Sequence, residues 1–279
     1  MISDYSNIII NPFFIEGASG KNFALELLPS EKINITKAVL YFPPFAEEMN
    51  KTRRMAALQA RALASQGIQV IQLDPFGTGD SEGDFSEADW EIWSTDMQKA
   101  VNKLEENNIE NIIFWGCRLG ILLALYTASK IKKNIDFVFW QPVVKGEIFM
   151  TQFMRLKLAS DMMNSNKKLT IKDLRSILES GTNIEVAGYS LSPALVDAVD
   201  RMEFSQLLPA SNTTINWFEI TPDLNMPQSP ANKKIIDMCK ESGIKMSISR
   251  IEGEAFWTTP EISEVPELIE QTTKIICGH

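Results

Sequence analysis

Short apolar runs alternate with longer amphipathic stretches along this chain, the pattern of a mostly parallel sheet covered by helices on both faces. Residues 8–15 and 23–28 are two opening strands joined by the Gly-rich turn Glu16-Gly17-Ala18-Ser19-Gly20, which predicts a hairpin at the edge of the sheet. A buried strand at 38–42 ends in Pro43-Pro44, and a helix follows from about Thr52 to Ser65 with Gly67 as its stop. The strand 69–73 runs into a turn-rich loop, Asp74 to Gly83, and a helix then spans about 87–107. The strand 111–115 turns through Gly116-Cys117-Arg118-Leu119-Gly120 into an apolar helix reaching about Lys132, and 136–140 is the next strand.

Between Val143 and Ala210 this rhythm breaks. The segment holds Met-rich amphipathic stretches (149–163), a helix at 171–178 closing at Gly181, and an extended piece with Val186, Ala187 and Tyr189. It reads as a cap inserted after the sixth strand and laid over the mouth of the sheet. The Met150, Met154, Met162 and Met163 stripe serves either as core or as ligand wall. Alternation resumes with a strand at 215–220, a helix near 231–242, a strand at 245–251 and a last helix from about 265 to 276. The 279 residues thus form one α/β domain, with core 1–142 and 211–279 and cap 143–210.

Composition narrows the partners. A net charge of −9 argues against nucleic acid or an anionic membrane surface, and the basic group Lys51, Arg53 and Arg54 reads as a solvated face. Three cysteines, Cys117, Cys239 and Cys277, lack metal spacing and point to a reducing compartment. No apolar stretch reaches the length of a membrane span, and the first residues lack a basic signal-like region. The expectation is a cytoplasmic protein with no cofactor and no metal.

A strand, a tight turn flanked by small residues and a helix make up the nucleophile elbow of α/β hydrolases. Gly116 and Gly120 supply the small positions, so the residue in the nucleophile slot is Arg118. A guanidinium stays protonated and cannot attack a carbonyl. Cys117 is the nearby thiol, readable as an unorthodox nucleophile or as a packed small hydrophobe. The loop after the last strand, where the fold keeps its histidine, reads Gly253-Glu254-Ala255-Phe256-Trp257, and the only histidine is His279. Asp223 stands where the triad acid would lie, or is a loop or cap aspartate with no imidazole to orient. Gly77-Thr78-Gly79-Asp80-Ser81 lacks the lysine and helix of a phosphate loop and reads as a structural turn.

Several words of the chain carry a resemblance. They are Phe42-Pro43-Pro44-Phe45-Ala46-Glu47-Glu48-Met49-Asn50-Lys51, then Arg53-Arg54-Met55-Ala56-Ala57-Leu58-Gln59-Ala60-Arg61 and Gly79-Asp80-Ser81-Glu82-Gly83-Asp84-Phe85. Trp115-Gly116-Cys117-Arg118-Leu119-Gly120, Gln141-Pro142-Val143, Val186-Ala187-Gly188-Tyr189, Phe256-Trp257 and Pro260-Glu261-Ile262 complete the set. With these the chain resembles the exosortase-A-system-associated hydrolases of the second type, α/β-hydrolase-like proteins of bacterial exopolysaccharide and protein-sorting systems. The resemblance implies an α/β-hydrolase fold with arginine in the elbow. The hydrolase label then describes the fold and not a chemistry.

A cation at the start of a helix opposes the macrodipole unless an anion joins it. Glu47 and Glu48, in the loop that forms part of the oxyanion hole in active relatives, and Glu254 are the internal candidates. The other reading makes Arg118, with Pro44, Phe45, Glu47, Glu48 and Phe256 around it, a site for a small carboxylate, phosphate or acyl-type ligand beneath the cap. Three function classes follow. One is a catalytically degenerate binder of such a ligand or of a protein partner. Another is an ester or thioester hydrolase or acyltransferase using Cys117 or a water activated by Glu47, Glu48 or Glu254. The third is a structural component of an export complex.

Overall fold

The computed structural model describes residues 7–31, 33–131, 133–164 and 169–278, without the side chains of 162–164. Met162, Met163 and His279 of the sequence reading therefore fall outside the described side chains. The opening hairpin pairs β1 (Ile8–Glu16) with β2 (Lys21–Pro29) in antiparallel register, Ile8 opposite Pro29 and Glu16 opposite Lys21. The core strands are β3 (Lys37–Phe42), β4 (Gln69–Leu73), β5 (Asn111–Cys117), β6 (Asp136–Trp140), β9 (Thr214–Thr221) and β10 (Lys245–Glu252). With the hairpin they form one eight-stranded sheet in the order β1-β2-β4-β3-β5-β6-β9-β10, in which only β2 runs against its neighbours.

The central strands are apolar at nearly every position because both faces are covered. Period-two alternation sorts their side chains. Leu40, Phe42, Phe114, Phe137 and Phe139 face α2 (Trp90–Glu106), α3 (Gly120–Lys130) and α7 (Pro230–Glu241). Val39, Tyr41, Trp115, Cys117, Val138 and Trp140 face α1 (Glu47–Ala64) and α8 (Pro266–Cys277). Strand order reverses on either side of β3, because the chain leaves β3 for β4 and returns to its other flank as β5. In open parallel sheets the crevice at the carboxyl ends of such strands is where ligands collect.

Between β6 and β9 the chain builds α4 (Gly146–Asn164), α5 (Ile171–Glu179), a small hairpin of β7 (Ile184–Val186) and β8 (Tyr189–Leu191), and α6 (Pro193–Asp200). This insertion packs on the loops at the carboxyl ends of the strands. Phe149 and Phe153 of α4 stand 5.8 and 5.2 Å from Phe45, after β3, and Tyr189 lies 5.0 Å from Phe85, after β4. Met150 and Met154 are fully buried and belong to the core. Among the described residues no helix is long and apolar enough to cross a membrane.

Three local expectations change. α1 begins at Glu47 and not Thr52, because Ala46 caps it in a left-handed conformation (φ 50°) with no side-chain signal, and Thr52 instead donates its hydroxyl back to the Met49 carbonyl within the helix. The extended piece around Val186 is a two-stranded hairpin, its turn made by Ala187 and Gly188 at φ 51° and 84°, the geometry that suits a two-residue loop. α6 is an additional helix, capped by Ser192, whose hydroxyl accepts from the Leu195 amide at 3.2 Å, with Pro193 in its first turn.

Candidate functional site

The turn from β5 into α3 is tight because its flanking residues lack side chains. A Cβ on Gly116 would meet the Ile121 Cα at 2.9 Å, and one on Gly120 would meet the Phe42 and Pro43 carbonyl oxygens at 2.3 and 2.4 Å. Strand, helix and the end of β3 thus pass at backbone contact, and Arg118 stands at the apex with φ 54°. The left-handed conformation costs a non-glycine residue on the order of 1–3 kcal/mol. It is held by the Arg118 amide donating to the Trp140 carbonyl at 3.0 Å and by the Arg118 carbonyl accepting from Ile121 at 3.2 Å. Gln141, at the end of β6, is also left-handed (φ 49°); its amide donates to the Phe218 carbonyl and its side-chain oxygen accepts from the Ile220 amide.

The Arg118 guanidinium meets Glu48. Its Nε lies 3.2 Å from both carboxylate oxygens and its Nη2 donates to Oε1 at 2.9 Å, with the two side chains only 15% and 12% exposed. Among the described residues Nη1 makes no hydrogen bond. Two aromatic rings flank the pair: Trp257, with Cζ of Arg118 5.0 Å from its ring centre, and Phe149 at 6.0 Å. Such cation–ring contacts contribute about 0.5–2 kcal/mol each, more as water is excluded. Glu48 sits in the first turn of α1, so its charge complements that helix dipole. The same charge offsets the unfavourable placement of Arg118 at the start of α3.

Burial pushes the Glu48 carboxyl above the usual glutamate range, and the attraction of Arg118 only partly opposes this. An acid whose folded pKa is raised binds its proton more tightly in the folded state, so stability falls as pH rises through that window. The expected result is a Glu48 carboxyl that titrates above ordinary glutamates in carbon-detected NMR, and higher still in Arg118→Gln. A Glu48 titrating at or below the ordinary value in the intact protein would contradict this account of the pair.

The other residues expected at the site are placed differently. Glu254 is exposed and pairs with no cation among the described residues, because the loop after β10 turns Phe256 (fully buried) and Trp257 (7% exposed) inward in its stead. Phe256 packs on Trp140 at 6.1 Å and Trp257 at 5.2 Å, which makes it core. Glu47 points toward Asn50, whose amide donates to the Tyr189 hydroxyl at 2.7 Å. Pro44 is buried, and Phe45 is wedged among Phe85, Trp93, Phe149 and Phe153.

Cys117 is fully buried against the α1 and α8 face, and burial together with Glu48 raises its thiol far above the usual range, so the unorthodox thiolate is disfavoured. Asp223 is exposed, its carboxylate accepting from the amide and side chain of Asn225 at 2.8 and 2.9 Å, the geometry of a loop aspartate. Phe149 and Phe153 of the insertion pack on Phe45 near the elbow, and the cavity lined by Phe45, Trp93, Leu119 and Gly120 measures about 20 Å³, room for a single water.

Similarity to known proteins lies in the fold. No family model matches the chain, and no curated protein matches it in sequence. Solved structures match over nearly its whole length. A putative hydrolase from Agrobacterium vitis is 14% identical, with 97% of this chain and 98% of that one covered and a TM-score of 0.59. Est1E from Butyrivibrio proteoclasticus, solved with ferulic acid, is 14% identical over 95% and 96%, with a TM-score of 0.63. A soluble variant of monoglyceride lipase from Saccharomyces cerevisiae, in complex with a substrate analogue, is 12% identical over 100% and 97%, also at 0.63. The chain has the α/β-hydrolase fold. The apex of the β5–α3 turn carries the Arg118 guanidinium, and Phe256 and Trp257 fill the loop after β10.

Trp257 and Phe149 are the contacts that sequence reasoning passed over. The hydrophobic dipeptide Phe256-Trp257 in an otherwise polar loop was the available signal for the first. Phe149, in the first turns of α4, carried none beyond its apolar character.

Proposed function

We propose that this protein is a catalytically degenerate member of the α/β-hydrolase fold that binds a small anionic or acyl-type ligand, or a protein partner presenting one, at Arg118. The observation that carries this reading is the elbow apex itself. A permanently charged guanidinium stands in the nucleophile slot, paired with Glu48, and no imidazole is present among the described residues. The Nη1 donors of Arg118 remain available to a carboxylate or phosphate oxygen, and the amides at the start of α3 favour the same charge. Ferulic acid, a carboxylic acid bound to a protein of the same fold, supports the ligand class. The sequence words shared with the exosortase-A-associated proteins favour a bacterial exopolysaccharide or protein-sorting setting and a cytoplasmic location.

Melting curves in butyrate, butyryl phosphate and inorganic phosphate test the reading. The expected result is a saturable rise in melting temperature, about 2.7 kcal/mol of added stability at a hundredfold excess over Kd, that disappears in Arg118→Gln. Equal stabilisation of both proteins, or none of either, would remove Arg118 from ligand binding.

A further inference from the structure

Between α1 and strands β2, β3 and β4 lies a cavity of about 230 Å³ that does not include Arg118. Its walls are mostly apolar, with Leu25, Met49 and Ala56 among them, interrupted by Tyr41, Thr52, Gln72 and, at the rim, Arg53 with Asp74. At the rim Arg53 is about half exposed (47%), and its Nη2 holds the largely buried Asp74 carboxylate at 3.2 Å. Asp74 is fixed from behind by the Asp80 amide at 3.1 Å, and a Cβ on Gly79 would fall 1.8 Å from its Oδ2, so the loop presses directly on the pair. On the wall Tyr41 is 5% exposed, and its hydroxyl is sealed off from the cavity.

Arg53 commits one contact to Asp74, and a guanidinium has five N–H donors in a rigid fork. A largely apolar hollow with a cation at its mouth has the make-up of a small-molecule site. Asp74 disfavours a dianion at the rim, because a second negative charge there faces it, whereas a monoanion can share Arg53 with it. An aliphatic or aromatic body fits the remaining wall.

We propose that this cavity is a second ligand site, taking a small amphipathic carboxylate whose head binds Arg53 and whose apolar body lies against Leu25, Met49 and Ala56. The site is independent of Arg118 and of whatever binds at the elbow.

The test uses the full chain with hexanoate and benzoate as probes and hexanol as an uncharged control, followed by calorimetry and by NMR of methyl groups. Hexanoate or benzoate is expected to bind saturably, to shift the Leu25, Ala56 and Ala57 methyl signals, and to bind tighter than hexanol. Arg53→Gln should weaken carboxylate binding by about tenfold or more. Arg54→Gln removes the same charge one residue away, where the side chain pairs with Glu264 outside the cavity, and should leave binding intact. Arg118→Gln should leave the Leu25, Ala56 and Ala57 methyl shifts intact as well, which separates this site from the elbow. Ala57→Leu, which narrows the hollow from its half-buried rim, should weaken binding without touching a polar group. No saturable binding of either probe overturns the proposal. So does a loss in Arg54→Gln equal to that in Arg53→Gln, or a loss in Arg118→Gln with Arg53→Gln unaffected.

Discussion

Arg118→Met is expected to lower the melting temperature by about 3–8 °C, because it strands Glu48 in a site that is only 12% exposed. Breaking a buried pair by removing one partner costs about 3–5 kcal/mol, and the residual solvent at this pair trims that to about 2–4 kcal/mol. Two smaller terms run in opposite directions. Loss of the guanidinium forfeits the ring contacts with Trp257 and Phe149, but it also relieves a cation placed at the start of α3. The left-handed backbone at residue 118 is retained, so its strain is unchanged. The double variant Arg118→Met with Glu48→Met should recover most of the loss, since an ion pair replaced by apolar side chains of similar volume is often neutral or better. A pH series adds a sign. The lone carboxylate of the single variant binds its proton more tightly than in the intact protein, so the deficit should shrink as pH falls through the raised Glu48 pKa. A single variant as stable as the parent at neutral pH would mean that the pair contributes nothing.

The fold was legible because its signals are dense and local. β4 and β6 match the expected strands end for end, since Val70, Ile71 and residues 137–140 are apolar and buried on both faces of the sheet. The elbow was legible for a steric reason: only glycine fits at 116 and 120 when backbone atoms lie this close. The choice of ionic partner was not. Glu47 and Glu48 are adjacent, and which of them turns toward Arg118 depends on where α1 starts, because one residue rotates a helical side chain by about 100°. With no capping side chain at Ala46 the helix start left no mark in the sequence. Glu254 was drawn into the reading by its charge, while burial of two aromatic rings decided the conformation of that loop. Phe256 and Trp257 together remove far more apolar area from water than one exposed carboxylate can offset. α6 was missed although Ser192-Pro193 is a sound start signal, because an eight-residue helix shows too few turns for its periodicity to stand out.

Arg118→Ser is expected to leave the hydrolysis of p-nitrophenyl butyrate indistinguishable from buffer, as for the intact protein. The substitution puts a hydroxyl at the geometric position of a nucleophile, on a turn already held at φ 54°. Three further requirements remain unmet. A serine hydroxyl needs a base to take its proton, and loss of the base alone costs a working triad about 10⁶-fold in turnover. Glu48, freed of its partner, is the one acidic neighbour shown at that point, and a carboxylate is a weak base for an alcohol. Asp223 has no imidazole to orient, and its carboxylate is engaged by Asn225. The last requirement is space. Triad variants of active enzymes retain about 10³–10⁴-fold catalysis from the oxyanion hole and binding, but here Phe45, Phe149 and Phe153 close the volume a substrate would need beside Leu119 and Gly120. Residual catalysis of that size in Arg118→Ser would show that the loop after β3 still forms a working oxyanion hole with substrate access. It would overturn the reading of the elbow as a non-catalytic site.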